Sequence, residues 1–202
     1  MDEARELSHV KHTRCATWHA NKSFEVDVES TFVRALPGFS IVGMADQAIQ
    51  ESRERIKSAL SSIHFQFPAQ KITINLSPSD LKKEGSHFDL AIALLIALQK
   101  ERTTCEDFFI FGELGLDGKV KKTNTIFPII LSLASKIPDL RVLISNELVA
   151  KVSQIPHVHV FGIDTLQEAL LFFKERHYLH VSPTTQQMPF FEHTLNIAGK
   201  SY

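Results

Sequence analysis

The chain has 202 residues, 44% of them hydrophobic and 22% charged, with 15 phenylalanines against 8 glycines. This is the composition of one soluble globular domain with a substantial core. A formal net charge of −1 argues against a generally basic nucleic-acid binder and leaves room only for a local cationic patch. Two cysteines, Cys15 and Cys105, do not make a disulfide framework. The charged start Met1-Asp2-Glu3-Ala4-Arg5-Glu6 lacks the apolar stretch of a secretory signal, and the run Leu90 to Leu98 is too short to cross a bilayer. The expected location is the cytoplasm.

Residues 1–12 are polar and aperiodic and read as a frayed start. Phe24-Glu25-Val26-Asp27-Val28-Glu29 alternates apolar and acidic residues, the pattern of a half-buried strand. Leu36-Pro37-Gly38 is a turn, and Phe39 to Gly43 resumes as a strand. Asp46 is placed to cap a helix over 47–63 with a buried stripe of Ile49, Ser52, Ile56, Leu60 and Ile63. Arg53 and Lys57 lie on one flank of that stripe, Arg55 and Glu51 on the other.

Lys71 to Leu76 alternates as a strand and leads into Ser77-Pro78-Ser79-Asp80-Leu81-Lys82-Lys83-Glu84-Gly85-Ser86, whose polarity, proline and glycine call for an exposed loop. Ser86 is a natural cap for an almost wholly apolar helix, Phe88 to Leu98. Phe108 to Phe111 is a strand running into a hairpin signalled by Asp117-Gly118. A helix near 127–136, a strand at 140–144, a short helix from Glu147 and a strand at Val158 to Phe161 follow. The last helix is expected to be capped by Asp164, with Gln167 three residues on. Interleaved strands and helices predict an α+β, two-layer sandwich. The folded domain is placed at 13–178, and 179–202, with Pro183-Thr184-Thr185-Gln186-Gln187, reads as a linker.

Four segments resemble one family in order: Leu36-Pro37-Gly38-Phe39-Ser40-Ile41-Val42-Gly43, Glu51-Ser52-Arg53-Glu54-Arg55-Ile56, Ile74 through Ser86, and Phe111-Gly112-Glu113-Leu114. Each alone is weak, but four in register are specific. They resemble the N-terminal domain of the ComM/YifB subfamily of Mg-chelatase-like AAA+ ATPases. The resemblance implies a fold like the second domain of ribosomal protein S5, related to the Lon protease and RadA C-terminal domains. It also implies a hexameric ring and, for the full-length family, a DNA helicase that migrates branches in natural transformation. ATP and Mg are expected only for the AAA+ region, since no Gly-x-x-x-x-Gly-Lys-Ser/Thr occurs here: Gly199-Lys200-Ser201 finds Thr194 where the earlier glycine belongs.

The Lon relationship raises a Ser–Lys peptidase as the enzymatic alternative. Matched to that pattern, the nucleophile slot falls near His87 with Ser86 one residue off, and the lysine slot falls on Phe127, with Lys136 more than two turns further along. No dyad is expected, and therefore no catalysis by this chain. His9, His12, Cys15 and His19 are spaced as ligands could be, but closed zinc sites usually show paired Cys or His spacings, and this set has a single cysteine. His157 and His159 are expected on one face of a strand as surface histidines, so no metal site is assigned.

What remains is charge. Lys82 and Lys83 in the loop, with Arg53 and Lys57 on the helix flank, are the expected contacts to DNA phosphates or to a neighbouring subunit. The blander reading pairs them with Glu84, Glu51 and Glu54. Asp89 is expected to serve the first turn of its helix. No membrane and no small-molecule substrate are expected. A regulatory protein-binding domain with no DNA role is the further alternative.

Overall fold

The structure is a computed structural model that describes the chain from Val10 to Val181, with side chains through residue 175. Its strands are β1 (Lys11–His19), β2 (Lys22–Val33), β3 (Gly38–Val42), β4 (Lys71–Ser77), β5 (Cys105–Ile110), β6 (Glu113–Leu114), β7 (Val120–Lys121), β8 (Leu140–Ser145) and β9 (Val158–Ile163). The helices are α1 (Gln47–Ser62), α2 (Asp89–Ala97), α3 (Ile126–Ala134), α4 (Asn146–Val152) and α5 (Leu166–Val181). Seven strands form one sheet in the order β3-β4-β2-β1-β5-β8-β9, and β6 and β7 form a separate hairpin. Only β2 runs against its neighbours; every other pairing in the sheet is parallel. A mostly parallel central sheet flanked by helices is the α+β class expected. No described helix is long and apolar enough to cross a membrane.

The helices fall into two contact groups, α1 with α2 and α5, and α3 with α4. Successive strand residues point to opposite faces, so the unbroken burial of Val142, Leu143, Ile144 and Ser145 means that both faces of β8 are covered. β2 behaves differently: Val26, Val28, Ser30 and Phe32 are buried while Glu25, Asp27 and Val33 are exposed. Helix α2 has no polar face because it packs on α1, α5, β1 and β2 together. Leu90 through Ile96 are at most 1% exposed, each large aliphatic side chain contributing about 1.5–3 kcal/mol of burial. The phenylalanine excess resolves into an edge-to-face cluster of Phe108, Phe161, Phe172 and Phe173, with ring centroids 5.1 to 5.5 Å apart, where β5, β9 and α5 meet.

Three local expectations change. Strand β1 begins at Lys11, inside the stretch read as frayed, because the Lys11 ammonium donates to the carbonyls of Leu98, Glu101 and Thr103 just past the end of α2. A cation there sits at the negative end of the helix dipole and ties the turn after α2 to the start of β1. The cap of α5 lies one residue later than expected: Thr165 Oγ1 accepts from Glu168 N at 3.1 Å, and the Glu168 carboxylate takes the Asp164 N–H at 2.7 Å. His157 has φ +60° and precedes β9, so it does not share a strand with His159. The linker residues from 182 on lie outside the described residues, and 179–181 continue α5.

Candidate functional site

The loop after β4 folds back onto the start of α1. Lys83 is wholly buried: its Nζ donates to Gly43 O at 2.9 Å and to Pro78 O. Its main chain is pinned as well, Lys83 N to Met44 O at 3.1 Å and Asp46 N to Lys83 O at 3.0 Å. Burial holds the ammonium below its ordinary pKa, with Asp80 acting the other way. Gly43 is needed where β3 ends against β4: a Cβ there would stand 2.1 Å from Leu76 O, at a φ of +102°. Lys83 is therefore corrected from a surface contact to an internal strut. A lysine stem can reach the backbone carbonyls under the loop, and no ammonium surface is left for phosphate.

The remaining motif residues join the same junction. Asp46 Oδ1 caps α1 by accepting from Ile49 N at 2.9 Å, while Oδ2 accepts from Gly85 N at 3.1 Å. Arg55 reaches across to the fully buried Asp89, Nε to Oδ2 at 2.7 Å and Nη2 to Oδ1 at 3.1 Å, and its Nη2 also donates to Ala48 O at 2.9 Å. Asp89 Oδ2 accepts as well from Leu114 N at 3.1 Å. Burial pushes the Asp89 carboxyl up to about 6 against the opposing pull of Arg55 and that amide, while Asp89 holds Arg55 above its usual range. Gly112 N donates to His87 O at 2.9 Å and Leu90 N to Gly112 O at 3.0 Å. Asp89 thus ties α1 and the β6 strand to α2, a wider role than serving the first turn alone.

Ser86 does not cap α2. It opens a single 3-10 turn, Ser86–Phe88, and its hydroxyl donates to the Glu113 carboxylate. The lysine considered for it, Lys136, is committed elsewhere, to Ser23 O at 2.8 Å, and Lys83, close by in sequence, is bonded to Gly43 and Pro78. His87, near the nucleophile slot, is 1% exposed; Nε2 lies 2.8 Å from Ala16 O, and Nδ1 has no partner among the described residues. Burial lowers its pKa to about 4, so the ring is neutral near pH 7.

The expected surface cations are only partly brought together. Arg53 and Lys57 sit one turn apart on α1, with Arg53 Nε on Gln50 O at 3.0 Å and Lys57 3.3 Å from Glu54. Lys82 is not on that helix: it precedes Lys83, whose N–H is bonded to Met44 O ahead of α1, and it lies 2.6 Å from Glu84, both side chains being about half exposed (55% and 53%). Of the histidine set, His9 lies outside the described residues. Cys15 is buried in the core, with burial raising its thiol pKa, whereas His12 is exposed beside Glu106 at 3.3 Å and His19 leans on Phe24. His159 is 3.7 Å from Asp139. Sequence reasoning missed the Arg55–Asp89 bridge. Its signal was one carboxylate in an otherwise apolar helix, with an arginine on the inward-turning flank of α1.

All four segments that carried the resemblance therefore meet at one junction. The family model described as Subunit ChlI of Mg-chelatase matches residues 28–147. The chain belongs to this Mg-chelatase-like family. Within it the ComM/YifB group is the match: an uncharacterized protein YifB of Salmonella typhimurium is 32% identical over 184 residues, covering 89% of this chain and 35% of that protein. The competence protein ComM of Haemophilus influenzae is 28% identical over 179 residues, 87% of this chain and 34% of its own length. An uncharacterized protein YifB of Escherichia coli is 36% identical over 115 residues, 55% of this chain and 22% of its own. The chain spans about a third of the length of the first two of these relatives.

Proposed function

We propose that this chain is the N-terminal, non-catalytic module of a ComM-type AAA+ protein that processes DNA, and that it helps the motor's subunits assemble. The fold is read as the S5-like, Lon-related type, and the nucleotide chemistry is assigned to the ATPase region of such a protein. The likeness to a competence protein supports the DNA setting.

One observation supports the non-catalytic part: the reactive-looking side chains of these motifs are engaged in bonds within the domain. Ser86 is on Glu113, Lys83 on two carbonyls and Arg55 on Asp89. The surface cations support assembly. Lys57 has Glu54 beside it, and Lys82 has Glu84. A surface carrying both signs suits a protein partner with the complementary arrangement.

The test is self-association of the chain by sedimentation equilibrium in low and moderate salt. Wild type is expected to associate, and Arg53→Glu/Lys57→Glu/Lys82→Glu to be monomeric. A monomeric wild type at several hundred micromolar, or a variant that associates equally, removes this role.

A further inference from the structure

The densest exposed cationic run lies elsewhere, on the β6–β7 hairpin. Lys119, Lys121 and Lys122 occupy three of four successive positions and are all exposed; Lys122 pairs with Glu147 of α4, and Lys151 stands one turn further along that helix, its Nζ 4.1 Å from the Phe127 ring centroid. Among the described residues only two carboxylates pair with these four cations, Asp117 with Lys119 at 3.7 Å and Glu147 with Lys122 at 3.2 Å. Both pairs are solvent-exposed, a class worth only about 0–1 kcal/mol and readily exchanged for another anion.

The frame that displays the lysines is rigid. Gly115 N donates to Lys119 O at 2.9 Å, Gly118 N to Gly115 O at 3.0 Å and Lys119 N to Asp117 Oδ1 at 3.1 Å. The hairpin is fastened to its neighbours by Ser58 Oγ to Leu116 O at 3.0 Å, Val120 N to Asp164 O at 2.8 Å and Leu166 N to Gly118 O at 2.8 Å. Leu114, Gly118 and Val120 are buried beneath it. Cations held on a fixed backbone lose less conformational entropy on binding than cations on a mobile loop. Leu116 at the tip is 63% exposed and offers an apolar contact for sugar or base beside the charges.

We infer that the β6–β7 hairpin, through Lys119, Lys121, Lys122 and Lys151, is a contact for the phosphate backbone of DNA. This rests on the DNA-processing reading above and moves the DNA contact away from the Lys82 loop. Binding is sequence-independent because phosphates carry no base information.

The experiment titrates the full chain against fluorescein-labelled single-stranded and duplex oligonucleotides between 50 and 200 mM NaCl. Wild type is compared with Lys119→Gln/Lys121→Gln/Lys122→Gln, with the corresponding triple arginine variant and with Lys82→Gln. The glutamine variant is expected to bind about tenfold or more weakly at the lowest salt, and its slope of log K against log salt to be shallower by about 2–3. The arginine variant should retain binding, and Lys82→Gln should change it less than about twofold. Equal circular dichroism and melting curves establish that the exposed substitutions leave the fold intact. An unchanged slope in the glutamine variant, or no binding by wild type, overturns the inference. Loss of self-association with DNA binding intact would also overturn it, assigning the hairpin to a neighbouring subunit. The assembly proposal stands or falls separately, on sedimentation of the Arg53, Lys57 and Lys82 variant.

Discussion

Replacing Arg55 with methionine tests the junction most directly. The substitution keeps much of the side chain's packing and removes both donors to Asp89, at 2.7 and 3.1 Å. Asp89 is wholly buried and would keep only the Leu114 amide at 3.1 Å. Stranding a buried charge costs about 3–5 kcal/mol, a large share of the roughly 5–15 kcal/mol that holds a domain folded. Urea unfolding at pH 7.5 should show that loss as a lower midpoint with an unchanged m-value. The carboxyl has a way out, because without the guanidinium its pKa rises beyond about 6 and it takes up a proton. The penalty should therefore shrink as pH falls from 7.5 towards 5, each unit of pKa difference being worth about 1.4 kcal/mol. Arg55→Met/Asp89→Leu removes both partners and should cost much less than the two single changes added together. A single-variant cost below about 1 kcal/mol, or additivity in the double variant, would refute the claim that these residues act as one buried unit.

His87 supplies a pH test of opposite sign. Its folded pKa of about 4 lies below the ordinary 6.5, so its contribution to stability is complete above pH 6.5 and lost on acidification to about 4, up to about 3 kcal/mol. Asp89, shifted upward, opposes this between about 4 and 6 in wild type, so the measurement is the difference between wild type and His87→Gln across pH 4–7.5, which should widen toward neutral pH. Gly43→Ala should destabilise by more than about 2 kcal/mol, because a Cβ 2.1 Å from Leu76 O is a clash with backbone at a left-handed φ; a melting point near wild type would contradict this. Thr165→Ala should cost about 1 kcal/mol by loss of the α5 cap, and Asp164→Ala less, read as a difference in thermal midpoint. Fluorogenic peptides should not be cleaved by wild type, and Ser86→Ala should show only a small stability change from the lost bond to Glu113; turnover abolished by that substitution would revive the peptidase alternative.

The elements legible in the sequence were those with strong local signals. Asp46 before a 3.6-residue stripe specified α1 to within a residue of its observed end, alternation marked β2 and β4, and the Leu36-Pro37-Gly38 turn marked the start of β3. The pairing of β1 was hidden because its two-residue turn to β2 is Ala20-Asn21, both with positive φ (47° and 60°), where alanine gives no turn signal. Ser86 looked like a cap because serine is a preferred capping residue, yet Glu113, 27 positions away in sequence, competes for its hydroxyl. Lys83 failed for the same reason: adjacent lysines in a polar loop look alike, and only the carbonyls of Gly43 and Pro78 decide which one turns inward. Local pattern reports periodicity and capping chemistry well. It does not report which long-range partner claims a polar side chain.

That distinction bears on where function should be sought. The four segments that resemble the ComM/YifB group supply most of the residues that bond at the junction: Gly43 with Lys83 and Ser86 with Glu113 lie wholly within them, while Gly85 and Arg55 take partners just outside, Asp46 and Asp89. Such bonds have demanding geometry, since a buried donor or acceptor left unpaired costs about 1–3 kcal/mol, so the residues making them are narrowly specified by the fold itself. A charged side chain that meets a partner in solvent is under no such internal constraint and leaves a fainter mark on a short motif. The hairpin shows both cases within a few residues. Glu113 and Leu114 belong to one of those segments and bond at the junction to Ser86 and Asp89, while Lys119, Lys121 and Lys122 are exposed, Lys121 standing directly across the ladder from Glu113. Sequence likeness thus identifies the joints of this domain, and its dealings with other molecules are to be read from the charges those joints hold in place.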